Sequence, residues 1–139
     1  MEGKPPVKPV TAFDLSPGGF HAYEHQWAMS AAFRFHETIG RSRVAERIRT
    51  LNDQCKAGLA SIRSVRLHTT LNPELSAGIC CFEVYGVKSE AVVEKLLEQR
   101  IVASTSPYKE AYARLAPSLL NDPAEVDTAL KAVRAIAGA

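Results

Sequence analysis

The N-terminal half of the chain carries two helical stripes of hydrophobic residues. From about residue 22 to residue 39, apolar side chains recur every three or four positions, which predicts a first helix. Beyond Gly40, a second stripe predicts a longer helix from about residue 42 to residue 62. This stripe consists of Val44, Ile48, Leu51, Cys55, Leu59 and Ile62. Charged residues, Lys56 among them, fill the rest of that helix surface, and we expect them in solvent.

The C-terminal half alternates between short strands and helices. Alternating apolar and polar side chains predict strands at residues 65–69, 77–84, 101–104 and 112–116. A short helix is expected after Ser89, which we predict as its cap, and a final helix from Pro123 to Ala137. Asp122 and Glu125 have the spacing of a capping box at the start of the final helix. This order predicts an α+β fold, in which helices cover one face of a small antiparallel or mixed sheet, preceded by two long helices.

The composition is that of an ordinary soluble domain. With 139 residues, the chain is long enough for a single core. It is 46% hydrophobic, and its net charge of +2 is spread along the chain, which indicates neither a nucleic-acid nor a membrane partner. No apolar run approaches the roughly 20 residues of a membrane span, and no secretory signal is recognisable. The three cysteines are an odd number without metal-type spacing, so we expect buried thiols in a reducing compartment, the cytoplasm.

The domain boundary is predicted near the N-terminus. The first ten residues contain three prolines and three charged residues with little to bury, which is typical of a poorly ordered segment. We therefore predict a Pro-rich flexible arm over residues 1–14 and a folded domain over residues 15–139.

Arg114 is the strongest candidate for a binding residue. Because it lies on the strand predicted at residues 112–116, its guanidinium leaves one face of the sheet. A guanidinium on a rigid strand suits a two-pronged grip on a carboxylate, although a solvated Arg on an edge strand would show the same pattern. No metal site is predicted, since His21 and His25 lack an evident third ligand. The hydroxyls of residues 104–106 lack a neighbouring His–Asp pair, so no catalytic residue is predicted either.

Two segments resemble the class V aminotransferases, which are fold-type-I pyridoxal phosphate (PLP) enzymes. The segment from Arg114 to Asp127 is similar to the C-terminal pattern Arg-x-Ser-x-x-x-Tyr-Asn-Thr-x-x-Glu-Val-Asp of that family. The matching residues are Arg114, Asn121, Glu125, Val126 and Asp127, and the departures are Ala116, Leu120 and Asp122. Upstream, the segment from Gly19 to Gly40 resembles the part that opens the small domain of isopenicillin N epimerase-like members.

The resemblance implies a small domain without its catalytic half. It implies that Arg114 binds a substrate α-carboxylate and that PLP is the cofactor. The polar loop before the Arg114 strand, with Ser106 and Tyr108, is a candidate wall of that pocket, although a solvent-exposed turn would show the same residues. Gly19 would contact the cofactor phosphate across a dimer, but Phe20 replaces the Thr that normally supplies a hydroxyl there. No lysine occupies a context that matches the Schiff-base lysine, which the family carries on its large domain. The chain is therefore expected to need a large-domain partner or homodimer and not to catalyse alone.

The loop after the strand at residues 101–104 disfavours one branch of the family. In cysteine desulfurases this loop carries the catalytic Cys, whereas here it reads Ser-Thr-Ser-Pro-Tyr. A different class of function remains open, namely a non-catalytic binding or interaction module left by a truncated gene. In that case the apolar surface around Phe20 and Trp27 would be exposed and would favour self-association.

Overall fold

The computed structural model describes residues 23–138, which fall into two compact units divided after Thr38. Helix α1 belongs to the first unit, and the remaining elements belong to the second. The helices are α1 (Tyr23–Ile39), α2 (Arg41–Ala60), α3 (Ser89–Glu98) and α4 (Pro123–Ile136). The strands are β1 (Val65–Leu67), β2 (Cys80–Val84), β3 (Ser104–Thr105) and β4 (Ala113–Leu115). The predicted α+β fold is confirmed, including the two long helices that come first.

Helix α1 buries none of its 17 residues. Its large apolar side chains are exposed, with Trp27 at 75%, Phe33 at 64% and Phe35 at 66%. A helix that displays several aromatic side chains to solvent is unusual, because such side chains normally supply the core. The chain passes from α1 to α2 at Gly40, whose φ of 96° lies in the left-handed region that favours glycine.

Helix α2 buries the apolar stripe that its sequence predicts. Leu51, Cys55 and Leu59 are all at most 1% exposed. The expectation that Lys56 lies in solvent is wrong, since this residue is only 2% exposed. Its ammonium lies 2.9 Å from the Asp53 carboxylate and donates a 2.9 Å hydrogen bond to the Ser76 hydroxyl. Ser76 comes from the loop between β1 and β2, which a helical pattern does not reveal, and this loop supplies a partner for the buried charge.

The sheet is fully antiparallel, with the strand order β1-β2-β4-β3. Strands β2 and β4 are therefore interior, and β1 and β3 lie at the edges. Helices α2 and α3 pack on one face of the sheet, and α4 packs on those two helices. The core is formed between these layers and includes Phe82, Val92, Leu96, Ala113 and Val133, each fully buried.

Local signals for helix ends had mixed outcomes. The capping box of α4 is confirmed, because the Asp122 carboxylate accepts from the Glu125 amide at 2.8 Å and the Glu125 carboxylate accepts from the Asp122 amide at 3.0 Å. The prediction that Ser89 caps α3 is wrong. Lys88 occupies the cap position, and the Ser89 hydroxyl instead donates to the Ala111 carbonyl at 2.7 Å. The Ser89 hydroxyl thus bonds a carbonyl that is distant in sequence and does not cap its own helix.

The strand predicted at residues 101–104 is shorter and starts later than expected. Only Ser104 and Thr105 pair with β4. Arg100, just before this segment, has a φ of 62°, and the chain turns there out of α3. Residues 99–102 then separate from residues 115–117, and a cleft opens between the two segments.

Candidate functional site

The candidate site lies on the sheet face that points away from the helices, here called the outer face. Along β2 and β4, alternate side chains are buried in the core, among them Cys80, Phe82 and Leu115. The intervening side chains point the opposite way because successive residues of a strand alternate between faces. The outer face carries Arg66, His68, Cys81, Glu83, Ser104, Tyr112 and Arg114.

The strand register arranges these side chains in two rows across the sheet. In the first row, Arg66 pairs with Glu83. In the second row, which we call the thiol row, Cys81 pairs with Arg114, and Arg114 pairs with Ser104. His68 extends the thiol row on the other side, since its amide donates to the Cys81 carbonyl at 2.8 Å. Neighbouring members of a row are separated by the interstrand distance of about 4.8 Å.

Arg114 lies on the interior strand β4. It is therefore not the solvated arginine of an edge strand that the same sequence pattern could have indicated. Its side chain is half-buried, and its Nε donates to the Ser104 hydroxyl at 3.3 Å. Neither Nη nitrogen donates a hydrogen bond or forms an ion pair within the described part of the chain. The forked end of the guanidinium is thus positioned by its strand and by Ser104, with its remaining donors open to a ligand.

A polar network borders the thiol row. The Glu83 carboxylate lies 3.4 Å from His68 Nε2 and 3.8 Å from Arg66 Nη1. The His68 ring stacks on Tyr112 at 3.8 Å, and its buried Nε2 has no well-aligned hydrogen bond to any described residue. The hydrogen bond from the Tyr112 hydroxyl to the Glu110 carboxylate raises the pKa of that tyrosine. No local pattern in the sequence singles out His68, because only the strand register brings it beside Cys81.

The other predicted site residues lie elsewhere. Ser106 is 5% exposed, and its hydroxyl accepts from the Tyr112 amide at 2.9 Å and donates to the Glu110 carbonyl at 3.3 Å. These bonds hold the loop between β3 and β4. Tyr108 is 77% exposed in the same loop, and Gly19 lies outside the described residues. A role in the pocket wall for Ser106 and Tyr108 stays a prediction.

A cleft among the described residues lies away from Arg114. It has a volume of about 500 Å³ and opens between residues 99–102, residues 115–117 and the start of α4, with Cys55 on its wall. A second depression of about 530 Å³ lies around residues 83–90. Arg114 lines neither of them. Its guanidinium therefore occupies an open surface, which would become a closed pocket only against another domain.

The remaining two cysteines belong to the core. Cys55 and Cys80 are 1% and 0% exposed, and the Cys80 thiol donates to the Asn52 side-chain carbonyl at 3.1 Å. The neighbouring Cys80 thiol, together with burial, raises the pKa of Cys55. These two thiols are structural in character, which leaves Cys81 as the cysteine on the outer face.

Metal and membrane sites find no support in residues 23–138. No three His, Cys, Asp or Glu side chains there lie close enough together to hold a metal ion. None of the helices in that range is long and apolar enough to span a membrane.

Comparison with known proteins identifies the family. A profile of the aminotransferase class-V family matches residues 18–108, which is more than half of the chain. The chain therefore belongs to the aminotransferase class-V family. Arg114 lies just beyond the matched segment. No curated protein sequence matches the chain.

Solved structures of other proteins have a similar fold. A cysteine desulfurase from Thermococcus onnurineus NA1 superposes with a TM-score of 0.78 and 20% identity, covering 88% of this chain and 33% of that protein. The cystine C-S lyase C-DES superposes with a TM-score of 0.72 and 24% identity, over 84% of this chain and 30% of its own. The Escherichia coli cysteine desulfurase CsdA gives a TM-score of 0.60 at 17% identity, over 70% of this chain and 27% of its own.

The chain thus spans about a third of the length of the solved structures that it matches. Family membership implies PLP as the cofactor. The described residues correspond to one region of a fold-type-I enzyme.

Proposed function

We propose that this domain binds the carboxylate of an amino-acid substrate through Arg114 and completes the active site of a PLP enzyme whose large domain provides the cofactor lysine. The observation that supports it is the forked end of Arg114, which leaves the outer face from an interior strand and whose two Nη groups have no partner among the described residues. Two parallel N–H groups match the two oxygens of a carboxylate in distance and charge.

The lysines of the described domain do not fit a Schiff base to the cofactor. Lys88, Lys95, Lys109 and Lys131 are exposed on helices and loops. Lys56 is buried, but its ammonium is committed to Asp53 and Ser76. A lysine that forms an internal aldimine needs a free amine inside a pocket. The proposed contribution of this domain is therefore to hold and orient the substrate.

The reaction of the assembled enzyme is a further part of the proposal. The resemblance of the segment from Gly19 to Gly40 favours an isopenicillin N epimerase-like enzyme, although the solved neighbours are desulfurases and a C-S lyase. The loop after β3 offers serine and tyrosine side chains but no thiol. An enzyme that binds an amino acid through its carboxylate and acts at the α-carbon is compatible with this loop.

A titration of Arg114 tests the carboxylate site in the isolated chain. A single charge-assisted pair contributes about 1.5–3 kcal/mol, which corresponds to a dissociation constant on the order of 10–100 mM. We expect L-alanine to shift the side-chain Nε resonance of Arg114 with saturation in that range. L-alaninamide, which lacks the carboxylate, should not shift it. Arg66 is the matched control, because its guanidinium already faces Glu83 at 3.8 Å. Equal shifts with both compounds, or at both arginines, would refute the proposal.

Helix α1 favours a second candidate function, that of an interaction module. Its exposed aromatic residues form an apolar surface that a monomeric domain rarely displays. Such a module would fold by itself, would have no affinity for PLP, and would associate through α1. Loss of the alanine response at Arg114 combined with association through α1 would favour this candidate over the first.

A further inference from the structure

The guanidinium of Arg114 has two edges that could each bind a carboxylate. A guanidinium is planar and carries five N–H donors, one on Nε and two on each Nη. The side edge consists of the Nε–H and the parallel N–H of the nearer Nη, and the end edge consists of one N–H from each Nη. Either edge presents two parallel donors to the two oxygens of a carboxylate. The two modes direct the rest of the ligand differently, so the mode decides where a substrate lies.

Ser104 occupies the side edge of Arg114. The two residues are directly opposed in the β3–β4 register, and the Ser104 hydroxyl accepts from Arg114 Nε at 3.3 Å. This is a long hydrogen bond, so it contributes to orientation more than to stability. A carboxylate oxygen cannot accept from the same Nε–H without displacing the Ser104 oxygen. The side edge is therefore filled by the protein itself.

The end edge of Arg114 is left without a competing carboxylate. On the neighbouring strand, the Glu83 carboxylate faces His68 at 3.4 Å and Arg66 at 3.8 Å. In the loop between β3 and β4, the Glu110 carboxylate accepts from the Tyr112 hydroxyl at 2.9 Å. Neither carboxylate forms an ion pair with Arg114 in the described part of the chain. Both Nη groups thus keep their charge and donors for an external anion.

We propose that Ser104 is a positioning residue that restricts carboxylate binding to the end edge of Arg114. This inference rests on the proposed carboxylate-binding role of Arg114 and adds the direction in which the ligand leaves it. On the end edge, the carboxylate continues the line from Nε through Cζ, so the ligand extends beyond the tip of the side chain. On the side edge it would lie over β3, which is the edge strand that carries Ser104.

NMR of the Arg114 side chain in the intact chain separates the two modes. The Nε nitrogen reports that a ligand binds, whereas the Hε and Hη protons report which N–H groups donate to it. In the native chain, we expect L-alanine to shift the Hη signals of both Nη groups and to leave Hε nearly in place, because Ser104 keeps that donor.

The Ser104→Ala variant should open the side edge. The freed Nε–H can then donate to the ligand, so Hε should shift and saturate together with Hη. We expect the dissociation constant for L-alanine to rise by about threefold, because the guanidinium is then ordered only when the ligand binds. A role of Ser104 in strand stability alone would not transfer the response from Hη to Hε.

Two further variants serve as rescue and control. Ser104→Thr keeps the hydroxyl on a residue that suits a strand, and it should restore the native pattern of Hε and Hη. Thr105→Val removes the neighbouring hydroxyl of β3. Thr105 lies opposite the buried Ala113 and therefore on the other face of the sheet, so this change should alter neither the pattern nor the dissociation constant.

The outcomes distinguish this inference from the carboxylate site itself. If L-alanine shifts no Arg114 resonance in the native chain, the carboxylate site is wrong, and with it the role of Ser104. If L-alanine binds but shifts Hε in the native chain as far as Hη, the site stands and the restriction to the end edge is wrong. A native pattern in Ser104→Ala, or a failure of Ser104→Thr to restore it, would likewise overturn only the role of Ser104.

Discussion

Lys56 carries a positive charge that is almost completely buried, and its partner Asp53 is half exposed. The side chains are 2% and 52% exposed, and their charged atoms are 2.9 Å apart. Removing the carboxylate leaves a buried charge with only Ser76 as its partner, whereas removing the ammonium leaves a carboxylate in water. The two single changes are therefore expected to have very different costs.

We predict that Asp53→Asn lowers the free energy of unfolding by about 1–2 kcal/mol, discounted for the exposure of Asp53. Lys56→Met, which retains the volume without the charge, should change it by less than about 1 kcal/mol. Urea denaturation followed by circular dichroism measures both. A greater loss for Lys56→Met than for Asp53→Asn would show that the ammonium is a net stabilising group.

At the residue scale, the sequence predicted which sheet face a side chain occupies, because that depends on alternation along one strand. It did not predict the neighbours of that side chain on other strands, because these depend on the strand register. Alternation along a strand was enough to place Arg114 on one sheet face, and the structure confirms it. The neighbours of Arg114 come from other strands, Cys81 on β2 and Ser104 on β3. Which residues oppose each other across a sheet depends on loops and packing far along the chain, so no local pattern could reveal the thiol row.

At the scale of elements, α2 and α4 approach each other closely at Gly58. A Cβ built on Gly58 would collide with the side chain of Leu130, which is 7% exposed. A glycine inside a helix costs about 1 kcal/mol relative to alanine. At Gly58 this cost is offset, because the missing side chain lets α4 pack closely against α2.

Gly58→Ala should therefore lower the free energy of unfolding by about 1 kcal/mol, because overpacking outweighs the gain in helix propensity. In a Leu130→Ala background the obstructing side chain is gone, and the same change should raise it by about 0.5–1 kcal/mol. Chemical denaturation of the four variants gives the double-mutant cycle. The same sign in both backgrounds would contradict the collision.

The elements whose ends were predicted correctly are those that carry their own signal. Asp122, Pro123 and Glu125 specify the start of α4 through contacts within a single turn, and the structure has that capping box. Strand β3 had no such signal. Its pairing depends on β4, and Arg100 turns the chain so that only two residues reach the ladder. Apolar residues 101–103 look strand-like in sequence without being paired.

At the scale of the whole molecule, the second unit has a continuous core, whereas α1 has an apolar surface without burial. The chain covers about a third of each of its solved neighbours. Family and fold could be recognised from the sequence because the motifs that indicate them are local. The exposure of α1 could not be predicted in this way, because it depends on what packs against the helix. Burial of an exposed apolar helix against any partner is favourable, because it removes apolar surface from water.

Self-association through α1 is the prediction at this scale. Trp27 and Phe35 are two helical turns apart and are 75% and 66% exposed, and burying a large apolar side chain contributes about 1.5–3 kcal/mol. We expect sedimentation of the native chain to show concentration-dependent association, and a Trp27→Ser/Phe35→Ser variant to raise the dissociation constant by about tenfold or more. Val102→Ser is the control, because Val102 is 84% exposed but lies in the second unit. Association that is lost equally in the control would assign it to general surface hydrophobicity, and a native chain that stays monomeric at every concentration would exclude α1 as an interface between copies.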